Sequence, residues 1–233
     1  MNYSEIQSIC ERIKNYDSFS SLFTFDTKKE HGFVFDFSED NEKLSEMNFS
    51  DPVVFNNYIF DTIKNNNSYF GIGKYGEKRI IYKQFDIFAK KDDARDIHLG
   101  LDLWVSAGEK VYAPVDGEVV WLQNDYEEGG YGGVVTLKHN IDGAIFYTLY
   151  GHLSWESINQ LQIGNKIDKG KIFARVGLAK ENGCWPPHLH FQIIVDLFDE
   201  VGVHPGVCSK KDEKYYLQIC PDPNLILNIP NLT

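Results

Sequence analysis

The chain has 233 residues, 42% of them hydrophobic and 14% aromatic, with a formal net charge of -11. That length and apolar share suit one large or two small folded domains and exclude a disordered chain. The acidic balance argues against nucleic acid or an anionic membrane as partner, and no apolar run reaches the length of a membrane span.

Met1 to Ser21 lacks a basic segment followed by an apolar one, so no export signal is expected and the chain reads as cytoplasmic. Ile6, Ile9, Cys10 and Ile13 recur at helical spacing, which predicts a helix over 4–14; a second is expected over 53–63. Asn65-Asn66-Asn67-Ser68 then breaks the pattern. Residues 1–74 read as an N-terminal helical or mixed cap with no visible chemistry.

From residue 79 onward the pattern is β. Strands are expected at 79–82, 101–105, 110–113, 117–122, 133–138, 144–150, 172–176 and 189–195, with Asp116-Gly117, Gly129-Gly130 and Asp142-Gly143 as turns. Ser154 is the expected N-cap of a short helix over 154–161. Gly108-Glu109-Lys110-Val111 and Gly164-Asn165-Lys166-Ile167 share the pattern Gly-x-Lys-aliphatic, and each precedes a second turn. Two such half-motifs suggest a duplicated barrel or sandwich. Many short strands with glycine turns exclude alternating βαβ units. The body is expected over 75–197, with a tail over 198–233 that wraps it as irregular structure ending in an apolar segment, 225–229. Cys10, Cys184, Cys208 and Cys220 form no Cys-x-x-Cys pair; free thiols are expected, with a Cys208–Cys220 bridge left open.

Of the seven histidines, His31, His139 and His204 read as surface or loop residues. His188-Leu189-His190 is different. Leu189, Phe191 and Ile193 alternate with His188, His190 and Gln192, so both imidazoles stand on one face of a strand, roughly 7 Å apart at Cα. In His98-Leu99-Gly100-Leu101-Asp102 a straight strand would separate His98 from Asp102 by roughly 13 Å. A bend is cheapest at Gly100. Alone, that segment equally fits an amphipathic strand facing solvent, and His152, after an apolar strand at Gly151, equally fits a core histidine. Together they supply three protein ligands and an open position, the donor set of a catalytic zinc site, with iron(II) as the competing metal. Two further histidines remain to activate water and stabilise an oxyanion. Spacing does not decide which histidines bind metal.

These segments resemble the lysostaphin-type zinc endopeptidases, over roughly residues 95–194. The matching stretches are His98-Leu99-Gly100-Leu101-Asp102, Gly108-x-x-Val111-Tyr112-Ala113-Pro114, Tyr150-Gly151-His152-Leu153, Gly164-x-x-Ile167 and Pro187-His188-Leu189-His190-Phe191. The resemblance implies a mainly β, duplicated hybrid motif barrel-sandwich. It implies His98, Asp102 and His190 as ligands of one Zn²⁺ per chain and His152 and His188 as the paired catalytic histidines. The implied reaction is zinc-assisted hydrolysis of a peptide or peptidoglycan-derived substrate. Two features depart from a typical wall hydrolase. One is the missing export signal. The other is Tyr75-Gly76-Glu77-Lys78-Arg79 together with Glu181-Asn182-Gly183-Cys184-Trp185-Pro186-Pro187. These are similar to a lysostaphin-like module joined to kinase-like and aminotransferase domains in larger intracellular proteins.

Three other readings compete with a zinc hydrolase. They are a non-catalytic binding or regulatory module on the same fold, a phosphoryl carrier with paired histidines, and a Cys184 nucleophile beside His188. Arg95, Tyr131, Trp155 and Trp185 are the candidates to line the cleft. Substrate identity and oligomeric state are not readable from the sequence.

Overall fold

The structure, a computed structural model, describes residues 1–88, 93–125, 127–197 and 204–232. The first apolar stripe forms α1, Tyr3–Asn15; Asn2 and Glu5 cap it reciprocally, and it buries Ile6 and Ile13. The second forms α2, Pro52–Asn65, where the Asp51 carboxylate accepts from Val53 N and Val54 N and proline occupies the first turn.

Twelve strands are described: β1 Gly32–Phe35, β2 Phe70–Gly73, β3 Arg95–His98, β4 Leu101–Trp104, β5 Lys110–Tyr112, β6 Gly117–Asp125, β7 Gly132–Ile141, β8 Ala144–Leu153, β9 Lys166–Ile167, β10 Ile172–Arg175, β11 His188–Ile194 and β12 Val207–Ser209. Eight form one sheet in the order β1-β2-β4-β11-β8-β7-β6-β9. β5 pairs with β10 and β3 with β12 in two small sheets. The protein is therefore mainly β, as the sequence predicts. β1 and β2, from the segment read as a cap, extend the main sheet, and β2 lies against β4 with Gly73 opposite Asp102.

The internal repeat has a structural counterpart. The strand after the first glycine, β5, pairs with β10 of the second half-motif; the strand after the second glycine, β9, pairs with β6 of the first. Each half pairs a strand with the other. The two copies of the short pattern thus mark a reciprocal exchange of strands.

Three expectations need correction. Residues 79–82 are not a strand: Ile80–Gln84 is a 3₁₀ turn. Its apolar, β-favouring composition is overridden because Arg79 N donates to Asp96 O and Ile80 N to Phe37 O, two carbonyls from unrelated segments. The helix after Ser154, α3 Trp155–Ile158, is a single turn, and the Ser154 side chain makes no cap. The tail is more regular than expected: β12 is followed by α4, Glu213–Ile219, and α5, Asn224–Leu227, which bury Ile219, Ile226 and Leu227 in the core. Residues 198–203 and 233 of that tail lie outside the described residues. Among the described residues no helix is long and apolar enough to cross a membrane. None of the four cysteines forms a disulfide.

His139 is buried rather than superficial. Its Nδ1 donates to Asp116 O at 2.8 Å and its Nε2 lies 2.6 Å from Thr148 Oγ1. Burial pushes its pKa down to about 4. The unfolded chain therefore binds more protons than the folded one between pH 6.5 and about 4. This contribution to stability is complete above pH 6.5 and lost as pH falls toward 4. Denaturant titrations at pH 7 and 5 should show a loss of about 2 kcal/mol from this group. His139→Gln should flatten that slope; an unchanged slope would show that His139 does not set it.

Candidate metal centre

The register of three adjacent strands assembles the site. Across β4, β11 and β8, Asp102, His190 and Gly151 fall in one row. His188 lies two residues along β11, opposite Trp104, and His152 follows Gly151. His98 arrives from β3, across an interruption between the strands at Leu99-Gly100, which supplies the bend the spacing requires. A Cβ on Gly100 would lie 2.7 Å from the His190 imidazole, so only glycine lets the backbone pass. His152 has φ of +62°, an uncommon conformation for a non-glycine residue that costs on the order of 1–3 kcal/mol. That conformation is held by hydrogen bonds on both sides of the residue, from His152 N to Tyr131 O and from Gly177 N to His152 O.

All five predicted residues converge. His98 Nε2 lies 3.0 Å from His190 Nδ1, and each lies 3.2 Å from Asp102 Oδ1. These three residues form a cluster able to hold a metal ion. Tetrahedral coordination with bonds of about 2.05 Å places ligand atoms about 3.3 Å apart, close to this spacing. His188 Nε2 is 3.7 Å from the same carboxylate oxygen, and the His188 ring lies 4.0 Å from that of His152.

Carbonyl oxygens fix each ring's tautomer. His98 Nδ1 donates to Lys74 O, His152 Nδ1 to Asn182 O and His188 Nδ1 to Pro186 O, at 3.0, 3.1 and 2.7 Å. Each therefore turns a bare Nε2 toward the site. His190 is reversed: its Nε2 donates to Gln192 Oε1 at 2.9 Å, leaving Nδ1 bare. Gln192 is itself oriented by donating from Nε2 to Pro205 O at 3.2 Å. Two imidazole lone pairs and a carboxylate oxygen thus face one point, an arrangement that repels itself unless a cation sits among them.

Electrostatics agree. Burial, reinforced by the nearby Arg79 guanidinium, pushes His98 down to about 3. Burial also lowers His188 to about 4 and holds His152, beside His188, well below the usual range. Burial opposes the charge on Asp102, but the facing Arg79 guanidinium outweighs it and holds the carboxylate ionised.

Arg79 carries no functional signal in the sequence. It is 1% exposed. Nη1 donates to Asp102 Oδ2 at 2.6 Å and to the Tyr82 hydroxyl at 3.0 Å, Nε to Glu77 Oε2 at 3.0 Å and Nη2 to Lys74 O at 3.1 Å. Asp102 therefore turns one oxygen to the His98 and His190 imidazoles and the other to a fixed cation. Gln192 and the carbonyls of Lys74 and Asn182 were missed too. Only Gln192 carried a signal, its place on the histidine face of β11.

A cavity of about 260 Å³ opens on these groups. Arg95, Tyr131 and Trp185 line it as expected, and so does His204, read from the sequence as a plain loop residue; Trp155 does not. Cys184 is absent from the lining.

Residues 96–203 match the model of peptidase family M23. An uncharacterized metalloprotease of Haemophilus influenzae is 35% identical over 100 residues, 42% of this chain and 19% of that protein. The murein hydrolase activator NlpD of Escherichia coli (strain K12) is 30% identical over 94 residues, 40% of this chain and 22% of that protein. The chain spans about a fifth of the length of these relatives. Among solved structures, it is similar to the catalytic domain of lysostaphin from Staphylococcus simulans, with 22% identity and a TM-score of 0.42 over 65% of this chain and 93% of that one.

Proposed function

We propose that this protein is a zinc-dependent peptidase or amide hydrolase, with His98, Asp102 and His190 holding one Zn²⁺ and His152 and His188 as catalytic histidines. The observation that carries it is the converging donor set: two bare imidazole nitrogens and one carboxylate oxygen within 3.0–3.2 Å, each fixed by a second partner. Zinc suits a mixed nitrogen and oxygen set of this spacing. When bound, it supplies Lewis acidity that polarises a scissile carbonyl and acidifies water.

The chain's own groups do the rest. His152 and His188 are neutral, each with a bare Nε2 toward the cavity. Either ring can take a proton from an attacking water at Nε2. Once protonated, the same nitrogen donates, first to the charge building on the carbonyl oxygen and then to the leaving amine. The carbonyls of Asn182 and Pro186 hold Nδ1–H throughout, so the rings need not rotate.

A peptide or peptidoglycan fragment is the substrate class that fits the family. The test is hydrolysis of di- to tetrapeptides of glycine, L-alanine and D-alanine by the zinc-loaded protein. Chelation should abolish turnover and zinc should restore it. Turnover that persists after zinc is stripped would contradict the proposal. The likeness to NlpD favours a second reading, a regulatory module without turnover. Zinc-loaded protein that cleaves nothing would support that reading.

A further inference from the structure

We infer that the cavity is built for a short peptide ending in a free carboxylate, rather than for a strand of a cell-wall polymer. This rests on the peptidase reading and names the substrate of that same site.

Enclosure is the first observation. His98, Asp102, His188 and His190 are 1–3% exposed and His152 is 6% exposed. The cover is an aromatic roof from two segments. Tyr82, Phe85 and Phe88 come from the turn before β3, outside the family match, and Trp185 comes from the loop before β11. Their rings interlock: Phe85 lies 4.4 Å and Tyr82 6.1 Å from Trp185, and Tyr82 lies 4.9 Å from Phe88. Trp185 in turn lies 6.4 Å from His152, and Tyr82 6.5 Å from His98. On the far side the Tyr131 ring lies 5.3 Å from His190, and its hydroxyl donates to His204 O. A polymer must run through an open groove past the scissile bond in both directions. Here the reacting groups lie under a packed roof, in a space of about 260 Å³. That is just below the range of about 300–1,000 Å³ usual for small-molecule pockets.

Unmet hydrogen-bonding capacity in the same cavity is the second observation. Arg95 lines it, stacked 5.6 Å over Phe88, with one guanidinium nitrogen donating to Ile87 O at 2.6 Å. Among the described residues no carboxylate forms an ion pair with it. The Trp185 ring lines the same space. A cation in a small aromatic chamber matches a carboxylate. A short peptide offers one at its C-terminal end.

The experiment compares peptides of two to four residues, built from glycine, L-alanine and D-alanine, with their C-terminal amides, longer homologues and intact peptidoglycan, using the full zinc-loaded chain. Short free acids should be cleaved, and amidation should raise KM about tenfold or more. Arg95→Gln should raise KM for the acid to that of the amide while barely changing the amide, and Arg95→Lys should recover part of the difference. Release of fragments from intact peptidoglycan, or equal kcat/KM for acid and amide, would overturn the inference. If no peptide is cleaved, calorimetry decides. Arg95-dependent binding of the free acids upholds the assignment while the peptidase reading falls; absence of binding by either form overturns it.

Discussion

His152→Ala should leave one zinc ion bound per chain and lower kcat for peptide hydrolysis by about 10²–10⁴-fold, the usual contribution of a positioned acid or base. Two features make this residue separable from the metal. Its Nδ1 is held by Asn182 O, and neither ring nitrogen touches Asp102, His98 or His190 within hydrogen-bond range. It also occupies a left-handed backbone conformation at φ +62°. Alanine keeps the backbone and removes the proton acceptor. Zinc content by mass spectrometry and steady-state rates should therefore part company. Activity that survives the substitution would remove His152 from the mechanism.

Arg79→Met should destabilise the zinc-free protein by about 3–5 kcal/mol, the cost of stripping one partner from a buried ion pair. The guanidinium is 1% exposed and bridges Glu77 and Asp102, both buried, at 3.0 and 2.6 Å. Its positive charge also lies over the Phe37 ring, 5.4 Å from the centroid. Without it the Asp102 carboxylate keeps only imidazoles around it, and the Glu77 carboxylate keeps Lys74 and the Phe37 amide. Zinc binding should recover part of the loss, because the metal replaces one missing cation beside Asp102. Denaturant titrations with and without zinc would show it; equal losses in both forms would mean that Asp102 does not face the metal. Arg79→Lys should fall between, since an ammonium restores charge but not the four-way geometry.

The parts of the site legible in the sequence were those encoded by local period. Alternation placed His188 and His190 on one face of β11, and the glycine between His98 and Asp102 marked the break between β3 and β4. The duplicated Gly-x-Lys pattern marked two half-motifs, but not that they pair strands with each other. Residues whose role depends on distant partners were not legible. Arg79 reads as the start of a strand because nothing local tells that its side chain ends beneath Asp102, 23 positions away. His139 reads as superficial beside a turn, yet its burial depends on Thr148 across the sheet. The roof over the site joins aromatics a hundred positions apart, and no periodicity links Phe85 to Trp185.

The proposed function requires one metal ion at the junction of β3, β4 and β11. Its most direct test is the zinc content of purified protein after reconstitution, measured for the natural sequence and for His190→Ala. One zinc per chain in the first and essentially none in the second is the predicted result. No zinc in the natural sequence, or an undiminished equivalent in the variant, would contradict it.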